Sequence, residues 1–321
     1  MPELPEVETV RRGLNQVTLH QTILGGDVLR DRTIAHPFSI AEFLIGLQGT
    51  AIVQWHRRGK YLLAELVTSA ATDRAVLNQV NHILQGETPF APTDILNPHP
   101  SSLFPIPHFL PFAGWLCVHL RMTGQLLWVE QSDPLQKHTR VRLFFPNGRE
   151  LRFVDQRTFG QMWRVPSGKR PEEVVSGLVS LGPEPFSVKF SVAYLEDGLH
   201  DRKRPIKNAL LDQTLVAGIG NIYADEALFL SHIQPQTLCS MLNSSQIQTL
   251  HAAILRVLQE AIDARGTTFS DFRDVAGVNG NYGGVAWVYD RKGQPCRVCQ
   301  MPIERIKLGG RSAHFCPTCQ Q

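Results

Sequence analysis

Four of the six cysteines stand as Cys296-x2-Cys299, sixteen intervening residues, then Cys316-x2-Cys319. Two CxxC pairs at this spacing fit a tetrahedral four-cysteine zinc site. Each pair supplies two thiolates from one tight knuckle, and the loop between the pairs folds back as a hairpin. Four protein thiolates close the coordination sphere, so the metal is expected to be structural; a hydrolytic zinc keeps an open position. Disulfides and redox-active pairs are the competing readings, disfavoured in an intracellular chain whose other cysteines are isolated. Cys117 and Cys239 stand alone in apolar surroundings and read as buried thiols. The pattern sets residues 287–321 apart as a small metal-stapled module, a four-cysteine zinc finger.

The 321 residues leave room for further domains with cores of their own. With 43% hydrophobic and 19% charged residues the composition is that of a soluble globular protein, and a net charge of +3 does not by itself mark a nucleic-acid binder. The first residues are acidic, without the basic-then-apolar order of a signal peptide. No apolar run approaches the ~20 residues of a membrane span, so the cytoplasm, in association with the nucleoid, is the expected home.

Residues 3–16 read as an amphipathic helix with Leu4, Val7, Val10 and Leu14 on one face and Arg11 and Arg12 near its end. From 20 to 165 the pattern is mostly strand-like: short apolar or alternating runs such as Tyr61–Leu66, Trp115–Leu120, Arg140–Phe145 and Glu150–Val154, with Pro146-Asn147-Gly148 as a hairpin signal. This argues for a β-sandwich or barrel-like domain over 1–165. Residues 68–112 interrupt it; seven prolines fall within 86–112, so an insertion in loop form is expected. Residues 166–185 read as a linker with a short helix around Pro171 to Leu181. A helical region follows over 186–286: Ile206 to Leu215, a glycine turn at 216–220, Asn221 to Ser231, and Ser245 to Arg265. The last has Ser245-x-x-Gln248 as capping box and Gly266 as stop. The fold class is therefore α+β and multidomain.

Pro2 follows the initiator methionine, whose removal leaves a free secondary amine with an ordinary pKa of about 7.7–8.0. Such an amine attacks an electrophilic carbon to form a Schiff base. Glu3 and Glu6 supply carboxylates beside it, three apart on one side of a helical turn. The plainer reading has Pro2 at the first helical position and both glutamates complementing the helix dipole.

Further segments carry a specific resemblance: Met1-Pro2-Glu3-Leu4-Pro5-Glu6-Val7-Glu8-Thr9-Val10, Arg57-Arg58-Gly59-Lys60-Tyr61-Leu62, His119-Leu120-Arg121-Met122-Thr123-Gly124, Asp155-Gln156-Arg157-Thr158-Phe159-Gly160, Leu181-Gly182-Pro183-Glu184-Pro185, Gly218-Ile219-Gly220-Asn221-Ile222-Tyr223-Ala224, and the zinc segment. In this order they resemble the bacterial formamidopyrimidine-DNA glycosylases of the helix–two-turn–helix DNA-repair superfamily, over nearly the whole chain except 68–112. The resemblance implies an N-terminal helix with a β-sandwich, a helical DNA-binding domain and a zinc hairpin, with duplex DNA in the basic cleft between the halves. It implies a monomeric bifunctional glycosylase and AP lyase acting on oxidised purines, with one zinc ion and no small-molecule cofactor. The partner would be double-stranded DNA containing an oxidised base or an abasic site.

By that resemblance Pro2 would attack C1′ of the damaged nucleotide, Glu3 would protonate the ring oxygen, Glu6 would support the amine, and Lys60 would contribute to elimination. Met122, Arg157 and Phe159 would fill the void left by a flipped base, with Arg157 addressing the orphaned cytosine. His138, Arg202 and Asn221 would contact DNA, Asn221 together with the helix N-terminal amides at a phosphate. Arg202, Lys203, Arg204 and Lys207 form the densest basic cluster. Arg311 would grip phosphate at the lesion; the family also assigns it proton donation in δ-elimination, for which an arginine is poorly suited. Residues 267–286 would be the lesion-capping loop, with Ser270 where some relatives carry lysine. Taken singly these residues also have ordinary readings: Met122 and Phe159 as core, His138 as a surface histidine, Lys60 as a strand-end charge, Asn221 as a helix cap. The competing functions are an endonuclease VIII-like enzyme for oxidised pyrimidines and a catalytically silent damaged-DNA-binding protein. Intact Pro2, Glu3 and Lys60 speak against the silent protein, since binding alone needs none of them.

Overall fold

The computed structural model describes residues 1–68, 111–267 and 272–321. The 68–112 insertion, apart from its ends, and Ser270 lie outside the described residues. The chain divides into two compact units: Met1–Pro2, Val7–Val179 and Ser270–Asn279 in the first, Glu3–Glu6, Ser180–Phe269 and Gly280–Gln321 in the second. The split at Val179/Ser180 falls inside the stretch read as linker, and the zinc module groups with the helical residues.

The first unit is built on two sheets. β3 (Thr50–Arg58), β4 (Tyr61–Thr68), β5 (Phe112–His119), β9 (Gln161–Pro166) and β2 (Ile34–His36) form one, antiparallel except where β2 runs parallel to β9. β1 (Gly25–Val28), β7 (Thr139–Phe144), β8 (Arg149–Asp155) and β6 (Gly124–Glu130) form the other. Alternation places Ile52, Leu62, Ala64 and Val118 of the first sheet and Leu126, Val141, Leu151 and Phe153 of the second in one core. That shared core makes the pair a sandwich. Val7, Val10 and Leu14 of α1 (Leu4–Val17) enter the same core, the stripe expected from sequence. Arg11 and Arg12 sit within α1, not at its end, and both bond Glu8. Helix α2 (Ile40–Leu47), capped by Ser39, interrupts the region read as strands. The hairpin at Pro146-Asn147-Gly148 joins β7 to β8, with Asn147 at φ 58°.

After β9 the expected single helix is two short ones, α3 (Pro171–Val174) and α4 (Ser176–Val179), broken at Val175. In the second unit α5 (Val192–Leu199) is capped by Ser191. Next, α6 (Ile206–Leu210) stops earlier than the pattern suggests, because Asp212 Oδ1 takes the Thr214 N–H and hydroxyl and turns the chain. α7 (Asn221–Leu230) and α8 (Ser244–Asp263) follow, then the hairpin of β10 (Glu304–Leu308) and β11 (Arg311–Phe315). The capping box of α8 is Asn243/Gln246, two residues before the expected pair. Its C-terminal turn closes with Arg265 N–H on Ile262 O and Gly266 N–H on Ala261 O, a Schellman motif. The left-handed C′ residue is thus Arg265 at φ 61°, one position before the glycine expected there. Leu4, the helices and Tyr282 share this unit's core.

Candidate active site and DNA-contacting surfaces

Glu3 immediately precedes α1. Its N–H donates to Glu6 Oε2 at 2.8 Å, the reciprocal half of a capping box in which Glu6 stands three residues on. Helix α1 therefore begins after Pro2, with Pro5 inside its first turn. Both carboxylates are buried, Glu3 2% and Glu6 1% exposed. The Glu3 carboxylate accepts from the backbone N–H groups of Gly220 (2.8 Å), Ile222 (2.9 Å) and Tyr223 (3.4 Å) at the start of α7. A Cβ at Gly220 would lie 2.4 Å from the Glu3 carboxyl carbon, so only glycine lets the side chain in. Here the N-terminal amides of α7 hold a carboxylate of the chain itself, where a DNA phosphate was expected. Asn221 shares a hydrogen bond with the Tyr289 side chain.

Glu6 Oε1 accepts from the Tyr223 hydroxyl and from Thr267 N–H at 2.8 Å. Burial, and then the Glu3 charge, push its pKa up to about 7 against the pull of these hydrogen bonds. Its direct partner is the backbone of Glu3, next in sequence to Pro2. Pro2 is itself buried, and Met1 is exposed.

Lys60 is 6% exposed and occupies the second place of the two-residue loop between β3 and β4. Gly59 takes the first at φ 55°, the positive φ that a tight hairpin loop asks of glycine. The turn is braced from α1: Glu8 accepts from Arg57 Nε at 3.2 Å, and Arg57 donates to Gly59 O at 3.2 Å. Arg11 and Arg12 complete the ring of guanidinium groups about Glu8, whose pKa is drawn down to about 2 although burial opposes it. His119 belongs to the same surroundings. Burial pushes its pKa down to about 3, helped by the Arg121 and Lys60 charges, and its Nδ1 accepts from Arg121 N–H at 2.9 Å. It is a neutral ring beside Lys60. The motif containing it was plain in the sequence, but its burial was not, and neither Glu8 nor His119 was singled out as a site residue.

Met122, Arg157 and Phe159 come together at the ends of β6 and β8, where Gly124 faces Asp155. Asp155, 1% exposed, fastens the two loops: it accepts from the Thr123 hydroxyl and from Gly160 N–H, and Thr123 Oγ1 accepts from Arg157 N–H. Arg157 lies over the Phe159 ring at 5.1 Å, and Phe159 is 46% exposed. A large aromatic so displayed is not core packing. His138 is on the same edge; its carbonyl accepts from Asp155 N–H, and its ring meets Arg140.

In the second unit Arg202 and Arg204 both pair with Asp212, and Lys203 is exposed. Of the basic cluster read from the sequence, Lys207 stands apart: its side chain is wholly buried and ion-paired to Asp225. Arg311 is exposed at the tip of the β10–β11 hairpin, after Gly309 and Gly310. At the base of that hairpin the four cysteine sulfurs lie within 4.8 Å of one another, with Cys296–Cys319 at 3.9 Å and Cys299–Cys316 at 3.4 Å. A tetrahedron with Zn–S bonds of about 2.3 Å has its sulfurs ~3.8 Å apart. Backbone N–H groups of Val298 and Cys319 point at Cys296 and Cys316 sulfurs, as knuckle turns arrange them. The site fits one structural zinc ion.

Residues 1–162 match the formamidopyrimidine-DNA glycosylase N-terminal domain, 181–273 its H2TH domain, and 293–321 the zinc finger found in FPG and IleRS. The chain belongs to the formamidopyrimidine-DNA glycosylase family. A formamidopyrimidine-DNA glycosylase of a Nostoc species is 58% identical over 320 residues, covering all of both chains. One from Acaryochloris marina is also 58% identical, over all of this chain and 99% of its own. Among solved structures, the MutM (Fpg) protein of Thermus thermophilus matches with a TM-score of 0.76 at 34% identity, covering 99% of this chain and 98% of the other. The Lactococcus lactis Fpg in complex with abasic-site DNA matches at 0.79 and 30% identity, covering 99% of both. Among the described residues no helix is long and apolar enough to cross a membrane.

Proposed function

We propose that this glycosylase removes oxidised purines, 8-oxoguanine and formamidopyrimidines, from duplex DNA and then cuts the strand as an AP lyase, with Pro2 as nucleophile. Freed of Met1, the Pro2 nitrogen attacks C1′. The glycosidic bond breaks and its electron pair leaves with the base, which gains a proton. The C1′–O4′ bond then opens, the Pro2 nitrogen giving up its proton and the Glu3 carboxylate relaying it to O4′, and leaves a cationic iminium that acts as electron sink. Loss of the C2′ proton expels the 3′ phosphate. Loss of the C4′ proton then expels the 5′ phosphate. Lys60, held in its buried turn, serves proton transfer in these eliminations. Glu6 orients the Glu3 backbone beside the nucleophile. Met122, Arg157 and Phe159 form the wedge that replaces the flipped base, and His138, Arg202, Asn221 and Arg311 hold the strand. We place the activity in the cytoplasm, on the nucleoid, where its substrate is.

The observation that carries the reading is the burial of two carboxylates, tied to each other and to α7, in the turn that presents Pro2. A DNA-binding module has no use for that arrangement. The decisive experiment is borohydride trapping on a duplex with one 8-oxoguanine opposite cytosine, followed by mapping of the adduct. An adduct at Pro2, lost in Pro2→Gly, is expected. Tight binding with neither adduct nor cleavage would return the chain to the silent class. The lesion panel includes an oxidised pyrimidine, because the Lactococcus lactis enzyme has been solved with such DNA; trapping on that lesion alone would favour the endonuclease VIII-like reading.

A further inference from the structure

The hairpin that carries Arg311 is held at two places. At its base are the zinc ligands Cys316 and Cys319. Nearer the tip, the chain passes over a polar cluster with no solvent access. Asp225 of α7, 0% exposed, pairs with Lys207 Nζ of α6 at 2.6 Å, and Lys207 is also 0% exposed. The other carboxylate oxygen accepts from His314 N–H at 2.9 Å and faces His314 Nδ1 at 3.2 Å. Lys207 Nζ donates to the carbonyl of Ser312, the residue after Arg311. The His314 ring packs edge-on against Tyr289 at 5.0 Å. Lys207 is within electrostatic range of both Glu3 and Arg311.

Two wholly buried charges are costly to keep, and replacing such a pair by apolar residues often stabilises a fold. Here each partner spends its hydrogen bonds on the backbone of β11, at Ser312 and His314. Zinc fixes the far end of the strand, but it does not set the twist of the five residues leading to the tip. We infer that Asp225 is a positioning residue: through Lys207 and His314 it sets the register and tilt of β11, and so aims the Arg311 guanidinium at its phosphate. The inference rests on the phosphate role of Arg311 given above.

The test compares Asp225→Asn, Arg311→Gln and the double variant, all full-length and zinc-loaded, for binding to a duplex with a chemically reduced abasic site across a salt series. Arg311→Gln is expected to weaken binding and to flatten the log–log salt slope by about 1, as loss of one phosphate contact does. Asp225→Asn is expected to do the same, with zinc still at one per chain and Pro2 trapping retained. The double variant should bind no more weakly than Arg311→Gln, since both changes remove one interaction. Additive losses in the double variant, or wild-type affinity and slope in Asp225→Asn, overturn the inference. Wild-type binding and slope in Arg311→Gln instead refute the phosphate role, and with it any aiming by Asp225. Should Asp225→Asn not fold, His314→Phe keeps the ring on Tyr289 and removes only the Nδ1 contact. It should shift the slope in the same direction by less, and an unchanged slope there is equally fatal.

Discussion

Glu6 is the residue whose environment is most clearly expressed in a measurable pH dependence. Its folded pKa is raised from 4.5 to about 7. Between those values the native state holds a proton that the unfolded chain has released. The stabilisation is therefore complete below about pH 4.5 and is lost as pH rises through 7, a span worth about 3 kcal/mol at most. Glu6→Gln mimics the protonated form, so the fall in Tm between pH 5 and pH 8 should shrink in the variant; an undiminished fall would remove Glu6 as its source. Asp155 tests the wedge. Asp155→Ala leaves Thr123 and Gly160 N–H without their acceptor, at a cost of about 1–3 kcal/mol. Excision of 8-oxoguanine, which needs the base flipped, should slow more than cleavage at a preformed abasic site. Equal slowing of the two reactions would mean that the loops merely hold the fold together. Both residues lie in motifs visible in the sequence, but a motif does not show that a carboxylate is buried or which loops it joins.

Elements were legible where a single period ran long enough. The Leu4/Val7/Val10/Leu14 stripe became a buried face, and Ile247, Leu250, Ile254, Leu258 and Ala261, at helical spacing along α8, are buried too. The eight residues of α2, Ile-Ala-Glu-Phe-Leu-Ile-Gly-Leu, are too short and too apolar for periodicity to separate helix from strand. Caps were read two residues late on α8 because Ser245 and Gln248 imitate the Asn243 and Gln246 that close it. The helix's other end offers a gain: Arg265 is exposed and sits at φ 61°, where an L side chain costs about 1–2 kcal/mol. Arg265→Gly relieves that cost against about 0.5–1 kcal/mol of chain entropy, so thermal unfolding should show a Tm unchanged or higher by a few degrees. A clear decrease would mean that the side chain stabilises the fold. At the hairpin, removal of zinc by a chelator should abolish DNA binding while leaving the β-sandwich signal in circular dichroism. Binding that survives complete zinc loss would contradict a structural role for the metal.

For the whole molecule, the spacing of sequence contacts matters as much as their chemistry. The family resemblance, the zinc staple and the strand-to-helix change after residue 166 were all legible in the chain. The attachment of the first turn to α7 was not, because no local pattern links residues so far apart. Glu3 is held by amides 217 to 220 positions further on, and Glu6 by an amide 261 positions further on. At translation rates of about 5–20 residues per second, those partners leave the ribosome on the order of ten seconds or more after the terminus itself. For that interval Glu3 and Glu6 are without the amides that hold them in the fold. Once Gly220, Tyr223 and Thr267 have emerged, the glutamates are drawn into place. The two carboxylates of the first turn are thus made more than two hundred residues before the amides that hold them, so a ribosome that stalls midway leaves a fragment in which neither is held by those amides.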